Sequence, residues 1–170
     1  MTAALGGLLA AVRTLSVLRV PGRAAAPMSA GLPWFAVVGA ALGALLFGIS
    51  ALVGSSTIGG WPEVAALAVV IGGAVLTGGL HLDGLADWAD TLGGASAERR
   101  LEIMKDPRVG AFGVIAVVAI VLCKWVALTR LGPSGALWLV TAYAVSRTAM
   151  VDLAVRLPYA RAEGGTAATV

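Results

Sequence analysis

Little of this chain is charged. Asp, Glu, Lys and Arg supply 12% of its residues, where soluble domains hold about a quarter, and the mean hydropathy is +0.93. A soluble fold of 170 residues has no interior large enough to hide a 59% hydrophobic fraction. Hydrocarbon does not penalise exposed Leu, Val or Ala, so a membrane resolves the excess. Cysteine is almost absent. The single one, Cys123, lies in an apolar run and excludes both an intrachain disulfide and a C-x-x-C metal site. Alternation with a period of two is missing, which argues against a membrane β-barrel. No basic cluster is present either. The net charge is +3 and the pI about 9.6, but the basic residues are scattered at the ends of apolar runs, so no nucleic-acid partner is expected. The N-terminal apolar stretch precedes its arginines, the reverse of a secretory leader.

What remains is helix-forming and apolar. Four stretches read as spans: 34–54, 64–80, 109–128 (interrupted by Lys124) and 135–151 (with Arg147 near its end). At about 1.5 Å per residue, the first crosses a hydrocarbon core of about 30 Å. It carries Gly39-x-x-x-Gly43, a spacing that lets helices approach closely. Residues 5–20 interleave Leu5, Leu8, Leu9, Val12, Leu15 and Val20 with Arg13 and Arg19, the pattern of an amphipathic helix on or dipping into the interface. Pro21, Gly22 and Pro27 break the chain after it, and 164–170 reads as a weakly structured tail. The expected fold is therefore all-α: a polytopic transmembrane bundle of about four spans, an N-terminal interfacial helix and a cytoplasmic acidic helical segment, forming one membrane domain over 1–170.

Orientation follows from the basic residues. Arg13, Arg19, Arg23, Arg99, Arg100, Lys105, Arg108, Arg147, Arg156 and Arg161 fall on one side of a four-span chain, and only Lys124 and Arg130 on the other. Ten against two places the N-terminus, the 81–108 segment and the C-terminus in the cytoplasm.

Six of the nine acids lie between 83 and 106: Asp83, Asp87, Asp90, Glu98, Glu102 and Asp106. On a helix the first three fall within an arc of about 60°. Carboxylates that close repel one another unless a cation sits among them. Hard oxygen ligands suit Mg²⁺ or Mn²⁺, which bridge carboxylates to phosphate oxygens. The alternative is a solvated helix face, weakened by the missing i,i+4 basic partners and the apolar neighbours Leu82, Leu85, Ala86 and Trp88. Gly78, Gly79 and Gly84 would admit phosphates to the backbone, or a second helix. Ser96 is a fair N-cap for a short helix from Ala97 to about Lys105, where Glu98, Glu102 and Asp106 form a second acidic stripe. Several of its charges are ordinary surface pairs.

Three single residues stand apart. His81, the only histidine, falls about 160° from Asp83 on a helix, as a base, a phosphate contact or a structural hydrogen-bonding group. Lys124, about 22 Å along its span from residue 109, suits snorkelling or helix pairing. Arg147 would reach a phosphate or pair with Asp152 or an acid of the 83–106 block.

Thr77-Gly78-Gly79-Leu80-His81-Leu82-Asp83-Gly84-Leu85-Ala86-Asp87, then Asp90, then Glu98-Arg99-Arg100-Leu101-Glu102-Ile103-Met104-Lys105-Asp106-Pro107-Arg108-Val109-Gly110-Ala111-Phe112-Gly113 resembles the cobalamin synthase family, the adenosylcobinamide-GDP ribazoletransferases. Arg13 to Pro21, Lys124, Ser146-Arg147 and Tyr159 to Gly164 extend the likeness over nearly the whole chain. Thr91 stands where the family usually has Gly, and Pro107 where it usually has Ser. Family members continue through further spans and a late Gly-Asp-containing motif, so this chain is expected to lack the C-terminal part.

The resemblance implies a Mg²⁺-dependent transferase of a bacterial cytoplasmic (inner) membrane. It would join adenosylcobinamide-GDP to α-ribazole or its 5′-phosphate, giving adenosylcobalamin or its 5′-phosphate and GMP. Partners would be these small molecules, the lipid bilayer, and a second copy or other corrinoid-assembly enzymes. The candidate catalytic residues are Asp83, Asp87, Asp90 and His81. The candidate metal ligands are Asp83, Asp87, Asp90 and Asp106. Gly84, Lys105, Arg108 and Arg147 are the candidate substrate contacts. The competing classes are a CDP-alcohol phosphotransferase or UbiA-like prenyltransferase, whose Asp spacings differ, and a cation transporter, which would place its acids near the midplane of the spans. The charge asymmetry predicts that a cysteine introduced by Ala95→Cys, in a Cys123→Ser background, reacts with an impermeant maleimide only after cells are opened. Labelling from outside intact cells would reverse the orientation.

Overall fold

The structure, a computed structural model, describes residues 3–21, 26–55 and 61–160. Arg23, Arg161 and the 164–170 tail lie outside the described residues. Among these residues eight helices follow one another: α1 Ala3–Leu15, α2 Met28–Gly31, α3 Phe35–Gly54, α4 Pro62–Leu76, α5 Leu80–Asp90, α6 Ala97–Ile103, α7 Ala111–Gly135 and α8 Trp138–Arg156. Short 3₁₀ turns lead into α3 (Leu32–Trp34) and out of α5 (Thr91–Gly93). Among the described residues there is no strand, in agreement with the all-α expectation.

Between lipid-embedded helices the apolar transfer term vanishes and close backbone approach decides association. The glycine spacing in α3 does this work against α8. A Cβ on Gly39 would stand 2.6 Å from the Tyr143 carbonyl oxygen, and one on Gly43 would stand 2.5 Å from that of Leu139 and 2.7 Å from Val140 Cα. The matched order 39 with 143 and 43 with 139 makes the two helices antiparallel. The α4 helix joins on another side of α3. Gly72 meets Leu46 and Ile49, and Gly73 meets Leu46 and the Tyr143 hydroxyl. Trp125 of α7 donates its indole N–H to the Glu63 carbonyl at the start of α4, 3.0 Å away.

The first helix is more than an interfacial float. Ala11 and Leu15 are fully buried, in one cluster with Phe35, Val38 and Leu42 of α3. Its exit is tied to α4 by a 2.9 Å bond from the Val17 amide to the Leu76 carbonyl.

The span count differs from the expected four. Among the described residues two helical segments are long and apolar enough to cross, Met28–Gly54 and Ala111–Gly132. A third crossing arises only if the pair α4 and α5, bent by 86°, counts as one. Residues 64–80 are not one straight span because the chain turns at Gly78 and Gly79, both with left-handed φ (61° and 70°). The fourth stretch is helical as α8, but Arg147, Asp152 and Arg156 keep it out of the apolar set. It packs antiparallel along α3 through the glycine seam. Only 6% of the apolar window of α7 is buried inside the chain, so that helix presents most of its surface outward.

Because the atoms facing Gly43 are backbone, Gly43→Ala cannot be absorbed by a rotamer change. It is expected to destabilise the α3–α8 pair by about 1–3 kcal/mol, read as a lower unfolding midpoint in detergent. Gly48, whose Cβ position is open, is the control, and Gly48→Ala should leave the midpoint unchanged. Equal midpoints for Gly43→Ala and the parent would contradict the seam.

Candidate active site

The acidic segment is placed by the turn that ends α4. The Gly79 amide bonds to the Ala74 carbonyl at 2.8 Å, and the Gly78 amide to that of Val75 at 3.1 Å. This is a Schellman closure with Gly in the left-handed position that other residues resist. The Gly79 carbonyl then accepts from Leu82 and Asp83 at 2.8 and 2.9 Å and starts α5. The glycine pair therefore serves to reorient the chain.

Asp83, Asp87 and Asp90 lie on α5 with the spacing of one helical face, and their environments separate them. Asp83 is exposed and Asp87 half-buried. The Asp90 carboxylate accepts from the Gly110 amide at 2.7 Å and from the Gly113 amide at 2.8 Å. It thus caps α7 from a neighbouring helix, satisfying amides that have no intrahelical partner, at the end where the dipole favours an anion. Glycine at both positions leaves room for the carboxylate. A Cβ on either residue would stand 2.5 Å from a carboxylate oxygen of Asp90. These two glycines were not among the expected site residues. The signal that could have found them is the Gly110-x-x-Gly113 step directly after the acidic block.

The second acidic stripe forms as expected at its start. Ser96 Oγ accepts from the Arg99 amide at 3.2 Å and caps α6. Arg99 pairs with Glu102 at 2.9 Å, and Arg100 donates to the Gly94 carbonyl at 3.0 Å. Asp106 and Arg108 hold each other through two side-chain bonds of 3.0 and 2.7 Å, with the Arg108 amide adding a third at 3.0 Å. The Arg108 hydrogen bonds hold the Asp106 carboxyl at about 2, below its ordinary 3.8. The pair is complete above the ordinary value and is lost only as pH falls through about 2. Lys105 and Gly84 are exposed.

Among the described residues no group of three or more His, Cys, Asp or Glu is arranged to hold a metal ion. The four-carboxylate set 83, 87, 90 and 106 is not assembled, because Asp90 is bonded to α7 amides and Asp106 to Arg108. Asp83 and Asp87, one turn apart, do fit Mg²⁺ as proteins commonly hold it. One or two carboxylates suffice when substrate phosphates complete the shell.

His81 and Arg147 turn away from the acids into a cavity of about 490 Å³ between α4, α5, α7 and α8, also lined by Lys124, Tyr143, Ser146 and Thr77. His81 Nε2 lies 3.3 Å from the Met150 sulfur. Arg147 donates to Ser146 Oγ at 2.7 Å and stacks 4.8 Å from the Tyr143 ring centroid. Asp152, one of the acids offered as an alternative partner for it, bonds to Arg156 instead.

Apolar crossing helices with one acidic helical segment clamped against the start of a span define an integral membrane protein with a polar site at one end of its bundle. The chain matches the cobalamin-5-phosphate synthase family over residues 7–170, and it belongs to that family. It is 52% identical over 166 residues to an adenosylcobinamide-GDP ribazoletransferase of Chlorobaculum parvum, and 51% identical to that of Chlorobaculum tepidum. In each case 96% of this chain and 64% of the relative are covered. The enzyme of that name in Pseudomonas syringae is 39% identical over 86% of this chain and 60% of its own. The chain thus spans just under two thirds of the length of these curated relatives. No solved structure matches it.

Asp90→Ala removes two charge-assisted bonds at a helix N-terminus and is expected to cost about 1–3 kcal/mol. Asp90→Asn keeps one acceptor oxygen and should fall between parent and alanine. Unfolding midpoints in detergent decide it, and an alanine variant as stable as the parent would remove the clamp.

Proposed function

We propose that this chain carries the phosphotransfer named in its relatives, from adenosylcobinamide-GDP to α-ribazole or its 5′-phosphate. The supporting observation is the Asp83–Asp87 pair, exposed and half-buried on an α5 helix fixed against the first turn of α7. In the reaction a ribazole hydroxyl attacks the corrinoid-side phosphorus of the diphosphate. The P–O bond to the guanosine side breaks, GMP leaves with that oxygen, and the hydroxyl proton passes to a carboxylate of the α5 face. Mg²⁺ held by Asp83 and Asp87 would neutralise charge on the phosphates. Asp90 positions this face through the α7 amides. Arg108 and Lys105 lie exposed in the segment that leads back to α7 and suit an anionic substrate. The site faces the cytoplasm of a bacterial inner membrane, where the charged substrates are, and the amphipathic corrinoid is met at the bilayer surface.

Asp87→Asn should lower GMP release by about a thousand-fold, the loss of roughly 4 kcal/mol of charge stabilisation in the transition state, with insertion into membranes retained. The assay is GMP formation from adenosylcobinamide-GDP and α-ribazole in membranes bearing the protein. Undiminished release by the variant would exclude this assignment.

A further inference from the structure

The cavity between α4, α5, α7 and α8 faces away from the acids and holds unspent positive charge. Its volume of about 490 Å³ lies in the range of small-molecule sites, commonly about 300–1,000 Å³. Its walls are mostly aliphatic, with Val69, Val121, Leu128 and Leu139 among them and Trp138 at one side, and among the described residues no acid lines it. Two cations do, Lys124 and Arg147. Among the described residues neither has an acidic partner. Arg147 is only 6% exposed, and its Nε is buried without a hydrogen-bond partner, as is His81 Nδ1. The Tyr143 ring face and the Ser146 hydroxyl answer part of the guanidinium and none of its charge. A buried guanidinium with an orphaned donor is costly unless an anion completes it.

We propose that this cavity is a binding site for a phosphate ester with an apolar body, the phosphate held between Arg147 and Lys124 and the body against the aliphatic walls. A planar guanidinium with free donors matches phosphate oxygens, and the apolar lining excludes a free, fully hydrated ion. Two sources share this chemistry: an aromatic nucleotide such as the acceptor, which rests on the function proposed above, and an anionic lipid, which does not.

The test is a binding titration on the full chain purified in a non-ionic detergent, read by tryptophan fluorescence, since Trp138 borders the cavity. One arm compares α-ribazole 5′-phosphate with α-ribazole, and the other compares phosphatidic acid with diacylglycerol. Saturable binding in at least one arm is expected, at least tenfold tighter for its phosphorylated member. The arm that responds identifies the source. Arg147→Gln and, separately, Lys124→Met should each weaken it by about ten- to a hundred-fold. Arg99→Gln, on the surface of α6, should not. Lys124→Met keeps the test decisive if the buried Arg147 variant fails to fold. Absence of saturable binding in both arms, equal binding of phosphorylated and unphosphorylated probes, or binding indifferent to both substitutions would overturn the proposal. None of these readouts depends on GMP release, so the assignment of the acidic face stands or falls separately.

Discussion

The carboxylate of Asp90 accepts from the amides of Gly110 and Gly113 and joins two helices that the chain separates by twenty residues. Without it, the far end of the acidic helix would lose its hydrogen bonds to α7, and the Gly110 and Gly113 amides would lack a partner. Both amides belong to glycines, so the two oxygens approach the helix start without meeting a Cβ. The rest of the polar end follows from this contact. It holds α5 against the start of α7, and with it the Asp83 and Asp87 positions on that helix.

The membrane imposes the second constraint. Apolar area earns no association between helices there, so the bundle is held by glycine seams: Gly39 and Gly43 against α8, Gly72 and Gly73 against α3 and Tyr143. The same environment makes Arg147 informative. Arg147 is a buried cation stacked on Tyr143 with no acidic partner among the described residues, which is what supports the anion site proposed for the cavity. The polar end and the cavity thus divide the charged chemistry. Asp83 is exposed on α5, and Lys124 and Arg147 line the cavity that His81 of the same helix borders.

What was legible in the sequence was local. Ser96 as the cap of α6 follows from a three-residue reach, and the close approach at Gly39 and Gly43 from a four-residue period, so both appear as read. The helical phase that puts His81 off the acidic face also holds, because both residues lie within α5. What was not legible depends on partners distant in sequence. Periodicity places Asp90 on a face with Asp83 and Asp87, but cannot show that the start of α7 takes both its oxygens. Hydropathy marks 64–80 and 135–151 as spans. It cannot see that two left-handed glycines bend the chain by 86° at the end of the first, or that the second, with its charges, finds its partner in the glycine seam of α3. Asp152 and Arg147 are near in sequence, yet the i,i+4 partner Arg156 captures the acid.

The central claim is that Asp83 and Asp87 hold a divalent ion only together with a phosphate, while Asp90 holds the helix. Mn²⁺ titration followed by electron paramagnetic resonance, with and without GDP, tests it most directly. The account predicts weak Mn²⁺ binding alone, tightening when GDP is added, and loss of that tightening in Asp83→Asn and Asp87→Asn. Mn²⁺ binding that is tight without nucleotide, or a GDP-dependent gain that survives both substitutions, would contradict it.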